Sequence, residues 1–211
     1  VVALGAGTGG PPVGTLVIAP GAPGFWCDRR NLPATAVVPV PARLPPSLAA
    51  SFAINPPTAW RMLHDFVSLQ PGDWVVCNAA NSGVGRLVCH YGRAMGWRVL
   101  AVVRRPELAD ELRACGASAV LADTPDWHRQ VGTLTGKAPI RLGLNAVGGA
   151  SGDYLARCLA PGATLVTYGA MSREPLILPN GPLIFGDLIA RGFWVTRWFE
   201  QATAAARDAM F

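Results

Sequence analysis

Lysine is almost missing from this chain: 17 of the 18 basic residues are arginine, and Lys137 is the exception. Charge as a whole is sparse, at 15% of residues against 51% hydrophobic, a balance that suits a buried core and argues against disorder. The basic residues are scattered, and only Arg29 with Arg30 and Arg104 with Arg105 stand as close pairs. A net charge of +5 therefore comes without the dense basic stripe of a nucleic-acid-binding face. No apolar run approaches the ~20 residues that span a bilayer, which argues against a membrane protein. The five cysteines (Cys27, Cys77, Cys89, Cys115, Cys158) are odd in number and form no C-x-x-C pair, and His64, His90 and His128 are equally dispersed. Neither a disulfide framework nor a metal site is signalled, and reduced thiols fit an intracellular protein. G-x-S-x-G, P-loop and H-E-x-x-H signatures are also lacking. An initiating Met is lacking too. Val1 stands in a strand-like run and Phe211 in an Ala-rich helical stretch, so both ends read as cut.

What is there falls into two textures. Residues 1 to about 53 are rich in Gly, Pro and Val, with strand-like runs at 15–18 and 36–40 punctuated every few residues by turn formers. A helix is expected over 58–66, with Pro56 and Pro57 near its start. From Asp73 onward the pattern alternates strictly. Strands are predicted at 74–78, 98–103, 119–122, 141–145 and 164–168, with helices at 84–95, 106–115, 126–135 and 152–159. A helical stretch at 183–190 and a last strand at 193–198 follow. Strand, helix, strand at this spacing predicts an α/β fold, a doubly wound parallel Rossmann sheet with helices on both faces.

The strongest local signal is Asn-Ala-Ala-Asn-Ser-Gly-Val-Gly at 78–85, between a strand and an amphipathic helix. Gly85 fills the third glycine position of a dinucleotide fingerprint, while Ala80 and Ser82 take the first two. Gly83 lets backbone approach a pyrophosphate drawn to the helix N-terminus. Taken alone this degenerate motif equally suits an ordinary Gly-rich turn. Arg104 lies 19 residues after Gly85, where NAD-binding versions carry an acid for the ribose 2'-hydroxyl. An arginine pair in that slot matches a 2'-phosphate instead, so NADPH is the favoured cofactor. Tyr168 and Gly169 close the fifth strand at its carboxyl end, where ligands of open α/β sheets bind. Gly169 is expected to let backbone approach the nicotinamide, although a plain turn glycine fits as well.

In order along nearly the whole chain, the segments 55–63, 69–73, 78–85, 102–104, 144–149, 166–169 and 191–194 closely resemble the mitochondrial trans-2-enoyl-CoA reductases. These form a zinc-free branch of the medium-chain dehydrogenase/reductase superfamily. The resemblance implies that residues 1–53 are the tail of a GroES-like β domain and 54–211 a Rossmann NADPH-binding domain truncated at its C-terminus. It also implies a set of cofactor contacts. Asn55 would lie near the nicotinamide end, and Asn81, Ser82, Gly83 and Val84 would wrap the pyrophosphate. Arg104, Arg105 and Pro106 would border the 2'-phosphate. Tyr168, Gly169, Ala170 and Met171, with Phe193, Trp194 and Val195, would line the nicotinamide and acyl side. Two positions depart from the family: Arg105 stands where an acid is frequent, and Ala170 replaces a second glycine. Ile54 occupies the position of a Cys ligand in zinc-dependent relatives, so no metal is implied.

The activity implied is NADPH-dependent reduction of trans-2-enoyl thioesters, of CoA or acyl carrier protein, in fatty acid synthesis. The family's catalytic Tyr would lie upstream of residue 1, so residues 1–211 alone are expected to be inactive. A homodimer paired along residues 193–198 is expected, in the mitochondrial matrix of a eukaryote or the cytoplasm of a bacterium. Two other readings stay open: a quinone or alkenal reductase of the same superfamily, and a non-catalytic NADPH-binding relative.

Overall fold

The computed structural model describes residues 1–22 and 24–211, which form two units: Val1–Pro57 with Trp194–Phe211, and Thr58–Phe193. In the first unit the frequent Pro and Gly leave only two short strands, β1 (Val17–Ile18) and β2 (Val38–Pro39), paired antiparallel. A helix not foreseen from the sequence, α1 (Pro46–Phe52), starts on a proline at its first turn, where the missing N–H costs nothing. Helix α2 (Asn55–His64) follows and begins three residues earlier than expected, because Pro56 and Pro57 sit inside its first turn.

The second unit is built on alternation. Its strands are β3 (Trp74–Cys77), β4 (Arg98–Val103), β5 (Ala119–Ala122), β6 (Ile140–Asn145), β7 (Thr164–Thr167) and β8 (Ile189–Gly192). They form one parallel sheet in the order β5-β4-β3-β6-β7-β8. Successive side chains point to opposite faces. Val75, Cys77, Val99, Ala101 and Leu144 therefore enter one core with Ala59, Met62 and Leu63 of α2. Trp74, Val76, Leu100, Val102 and Leu165 enter the other, with Trp127. Helices α3 (Gly83–Met95) and α4 (Ala109–Cys115) cover the first face through Val88, Cys89 and Leu112. Helices α5 (Val131–Thr135) and α6 (Gly149–Cys158) cover the second through Val131, Leu155 and Ala156. The architecture is the doubly wound Rossmann fold expected from the sequence. The helices expected over 106–115 and 126–135 each open with a 3-10 turn, at Pro106–Leu108 and Trp127–Gln130.

The end of the chain differs from expectation. The helix expected over 183–190 lies earlier, as α7 (Asn180–Ile184), and the sixth strand β8 occupies the end of that stretch. Residues 193–198 are not a strand: α8 (Val195–Gln201) begins there, then α9 (Ala204–Asp208). Aromatic and β-branched residues raise strand propensity, but burial settles the period. Val195 and Phe199, four apart, share the buried face of α8. β8 is exposed at all four residues, so it shows no alternation for a sequence reading to find. Residues 194–211 group with the N-terminal unit, unlike the sequence division at 53/54, because Phe211 packs on Phe199 and Phe52 at centroid distances of 6.1 and 6.2 Å. Among the described residues no helix is long and apolar enough to cross a membrane.

Glycines end α3, α4 and α5 in the left-handed region, at Gly96, Gly116 and Gly136. Their surroundings differ. A Cβ at Gly116 would stand 2.5 Å from the Cys89 carbonyl oxygen and 2.8 Å from the Arg93 Cβ, whereas one at Gly136 would meet nothing within 4 Å. Gly136→Ala should therefore cost about 1–2 kcal/mol for the backbone conformation alone. Gly116→Ala should add roughly 1–3 kcal/mol of overpacking between α4 and α3. Urea unfolding of the two variants compares them directly, and equal losses would show that the α3–α4 contact yields without cost.

Candidate cofactor-binding site

The chain winds outward from β3 through β4 to β5, then crosses back to start β6 on the other side of β3. Connections beyond β3 and β6 thus leave in opposite directions and open a crevice at their carboxyl ends. The residues singled out for the pyrophosphate lie there. Ala79 takes a left-handed conformation at φ 46°, and a turn closed by Ser82 N–H to the Ala79 carbonyl at 2.9 Å leads into α3. Ser82 is the N-cap, its hydroxyl accepting from the Gly85 N–H at 3.1 Å. Gly85 is fixed by packing: a Cβ would lie 2.6 Å from both the Cα and the carbonyl oxygen of Ala80. The N–H groups of Gly83 and Val84 open the helix and lack intrahelical acceptors by geometry. With the macrodipole, they make this end of a thirteen-residue helix attractive to an anion.

Arg104 and Arg105 follow β4 directly and are exposed, with Arg105 and Pro106 opening the 3-10 turn before α4. Arg86, which the sequence reading passed over, links this end to the loop. Its Nε donates to the Asn81 carbonyl at 3.0 Å while a terminal nitrogen pairs with Glu111 of α4. The hydrogen bond from Arg86, with the charges of Arg86 and Arg105 behind it, holds the Glu111 carboxyl below its usual range. Arg105 thus stands within electrostatic reach of the pair that steadies Asn81.

Tyr168, Gly169, Ala170 and Met171 follow β7. Gly169 is required by the chain itself, since a Cβ there would lie 2.8 Å from the Ala146 carbonyl oxygen. Ala170 and Met171 are exposed. The Tyr168 hydroxyl is buried and makes no well-formed hydrogen bond, with the Ser82 hydroxyl nearby. Burial drives its ionisation well above the ordinary range, reinforced by Cys77, with Ser82 a weaker opposing influence. Cys77 is itself held as a neutral thiol by its hydrogen bond with Cys89 and by burial. Phe193 packs edge-on against Phe66 at 6.1 Å. Of the remaining candidates, Asn55 opens α2, Trp194 is the exposed N-cap of α8 and Val195 is buried in its first turn; all three belong to the first unit. Among the described residues no group of His, Cys, Asp or Glu could hold a metal ion.

Sequence reasoning missed a buried polar chain across the strand ends. Asn78 and Asn145, both fully buried, stand one after β3 and last in β6. Asn78 Nδ2 donates to Asn145 Oδ1 at 2.8 Å and to Ser151 Oγ at 3.0 Å, and Ser151 donates onward to Asp123 Oδ2 at 2.8 Å. Asn145 Nδ2 donates to Thr167 Oγ1 at 3.2 Å. The available signal was two apolar strands that each end in the same amide.

Because its buried hydroxyl makes no well-formed hydrogen bond, Tyr168→Phe should leave the unliganded protein about as stable as before, or more stable by up to about 1 kcal/mol. The sign with pH follows from the raised ionisation. The favourable neutral phenol is fully present below the unfolded value, near pH 10, and its contribution is lost as pH rises through the folded one. Wild type should therefore lose stability faster than Tyr168→Phe above about pH 10, read by chemical denaturation. Parallel curves would mean that the phenolate is stabilised in the folded protein as well as in water, by a hydrogen-bond donor or by solvent.

The zinc-binding dehydrogenase family matches residues 83–210. The human mitochondrial enoyl-[acyl-carrier-protein] reductase is 42% identical over 204 residues, covering 94% of this chain and 55% of the relative. The mitochondrial 2-enoyl thioester reductase Etr1p/Etr2p heterodimer from Candida tropicalis aligns with a TM-score of 0.76 at 25% identity, over 83% of this chain and 54% of that one. An Etr1p variant in complex with NADP and crotonyl-CoA aligns with the same TM-score, identity and coverage. The chain spans about half the length of the curated relatives it matches. The fingerprint loop, the sheet order and these matches agree: the chain belongs to the zinc-binding dehydrogenase family, within the medium-chain dehydrogenase/reductase superfamily.

Proposed function

We propose that this chain is the cofactor-binding part of an NADPH-dependent 2-enoyl thioester reductase. The observation that carries the reading is the pairing of a Ser82-capped helix N-terminus at the β3–β6 crevice with Arg104 and Arg105 at the end of β4. One end suits a diphosphate and the other a 2'-phosphate, which together describe NADPH and not NADH. The relatives named as enoyl reductases, and the Etr1p complex with NADP and crotonyl-CoA, supply the substrate class.

When bound, NADPH supplies a hydride for the β-carbon of a trans-2-enoyl thioester. The residues of this chain bind and orient. Asn81, Ser82, Gly83 and Val84 wrap the diphosphate; Arg104, Arg105 and Pro106 border the 2'-phosphate. Tyr168, Gly169, Ala170, Met171 and Phe193 take the nicotinamide side; Asn55, Trp194 and Val195 are assigned to it through the family resemblance alone. The proton for the α-carbon is assigned, through the family resemblance, to a Tyr outside residues 1–211. Residues 1–53 are read as the tail of a GroES-like domain and 54–211 as the nucleotide-binding domain. The reductase would act in fatty acid synthesis, on CoA or acyl carrier protein thioesters. Its place is the mitochondrial matrix in a eukaryote, as in the named relatives, or the cytoplasm in a bacterium.

The full-length protein tests this. Consumption of NADPH with crotonyl-CoA should exceed that with a quinone, and NADPH should bind more tightly than NADH. Charge-assisted hydrogen bonds contribute roughly 1.5–3 kcal/mol each, so Arg104→Ala with Arg105→Ala should erase most of the cofactor preference. Faster turnover of the quinone would replace the enoyl reading, and equal affinities in wild type would remove the role given to the arginines.

A homodimer belongs to the same proposal, with its edge now at β8. Among the described residues that strand pairs only with β7, and it is exposed along its length, an open edge that a second copy would cover. Light scattering of the full-length protein should report a dimer; a monomer at micromolar concentration would count against it.

A further inference from the structure

The backbone around the crevice is assembled in a fixed order of dependence. The loop after β6 has its N–H groups turned inward onto amide oxygens: Ala146 N–H donates to Asn78 Oδ1 at 2.7 Å, while Val147 and Gly148 N–H donate to Asn145 Oδ1 at 3.1 and 3.0 Å. Its carbonyls face the other way and carry the loop after β7. Tyr168, Met171 and Ser172 donate their N–H groups to the carbonyls of Asn145, Ala146 and Val147, each at 3.0 Å. Tyr168 to Met171 therefore hang on the β6 loop, and the β6 loop hangs on two side chains. One of these, Asn78, directly precedes the turn assigned to the diphosphate. The Ser151–Asp123 arm then reaches the end of β5, where Asp123 N–H donates to the Val103 carbonyl at 2.7 Å, next to Arg104.

We propose that the buried chain Thr167–Asn145–Asn78–Ser151 is a positioning network that fixes the nicotinamide-side loop in register with the diphosphate loop, so that the two halves of the dinucleotide are gripped together. The proposal rests on the reading of this site as an NADPH site. None of the four side chains needs to touch the cofactor. Asn78 uses both amide hydrogens and one acceptor position of its oxygen within the chain itself, and it is fully buried. Its geometry couples the ends through hydrogen bonds that are all buried or partly buried, so that loss of one partner leaves another group unsatisfied.

The test uses the full-length protein and two ligands: NADPH, and adenosine 2',5'-bisphosphate, which carries the adenosine half with its 2'-phosphate and no nicotinamide. Thr167→Val removes the acceptor at one end while keeping the side chain's shape, and Ser151→Ala removes the hydroxyl at the other. Each should weaken NADPH binding by about tenfold, the size expected when one buried hydrogen-bonding group loses its partner. Binding of the bisphosphate should change by less than about twofold, within the scatter expected of independent sites. Thr167→Ser, which retains the hydroxyl, should restore NADPH binding. The double variant should bind little worse than either single one, because a network once broken has little left to lose. Near-ultraviolet circular dichroism confirms folding, and the two single variants stand independently should either fail to fold. Equal weakening of both ligands, additive losses or failure of Thr167→Ser to restore binding would overturn the network. Wild type that binds the bisphosphate as tightly as NADPH would also overturn the network, whereas wild type that binds neither ligand would overturn the NADPH reading beneath it.

Discussion

Between β3 and β6 the sheet has a seam that ordinary strand pairing cannot close. The two strands run side by side, yet the chain leaves them in opposite directions, so the N–H groups of Ala146, Val147 and Gly148 just past β6 turn to side-chain oxygens and not to a strand. Buried N–H and C=O groups cannot be left unpaired. Asn78 and Asn145 resolve the conflict by extending the ladder with side-chain amides, each placed where the backbone ladder stops. A single neutral hydrogen bond contributes only about 1 kcal/mol net, but a buried group deprived of its partner costs roughly 1–3 kcal/mol. The pair therefore matters less for what it adds than for what its absence would expose.

Close approach is the second condition of the site, and glycine meets it against the chain's own backbone. Gly85 lets α3 come down on Ala80, which brings the helix N-terminus to the end of β3. Gly169 lets the β7 loop lie against Ala146, and Gly152 leaves room on α6 for Leu176 and Asn145. These glycines shape the crevice from behind. The surface that a dinucleotide would meet is left to the N–H groups of Gly83 and Val84, to exposed side chains and to the exposed loop residues Ala170 and Met171.

Electrostatics is layered over this frame. The Arg86–Glu111 pair is largely open to solvent, where an ion pair adds little to stability. Its consequence is orientation: with one terminal nitrogen held by α4, Arg86 directs its Nε to the Asn81 carbonyl and steadies the turn that starts α3. Glu111 also offsets part of the positive field that Arg86 and Arg105 would otherwise concentrate at one edge. Arg104 and Arg105 stay exposed, as suits groups proposed to meet a phosphate arriving from solvent.

The sequence by itself determined the larger architecture. Five strands of the parallel sheet, the helices between them, the fingerprint at 78–85 and the arginine pair after β4 all follow from local pattern, because apolar period and turn residues are written in consecutive positions. Only the tertiary structure decided the rest. At 193–198, aromatic and β-branched residues read as a strand, but Val195 and Phe199 find a common buried face only as a helix. The strand just before it, β8, owes its existence to pairing with β7 and carries no amphipathic trace. Gly169 read as either a ligand-facing or a plain turn glycine, and only folding brought Ala146, 23 residues earlier in sequence, against it. Asn78 and Asn145, 67 residues apart, read as polar ends of two separate strands. Their partnership arises because the chain reverses its winding between them, and a contact made by folding leaves no period in the sequence that precedes it.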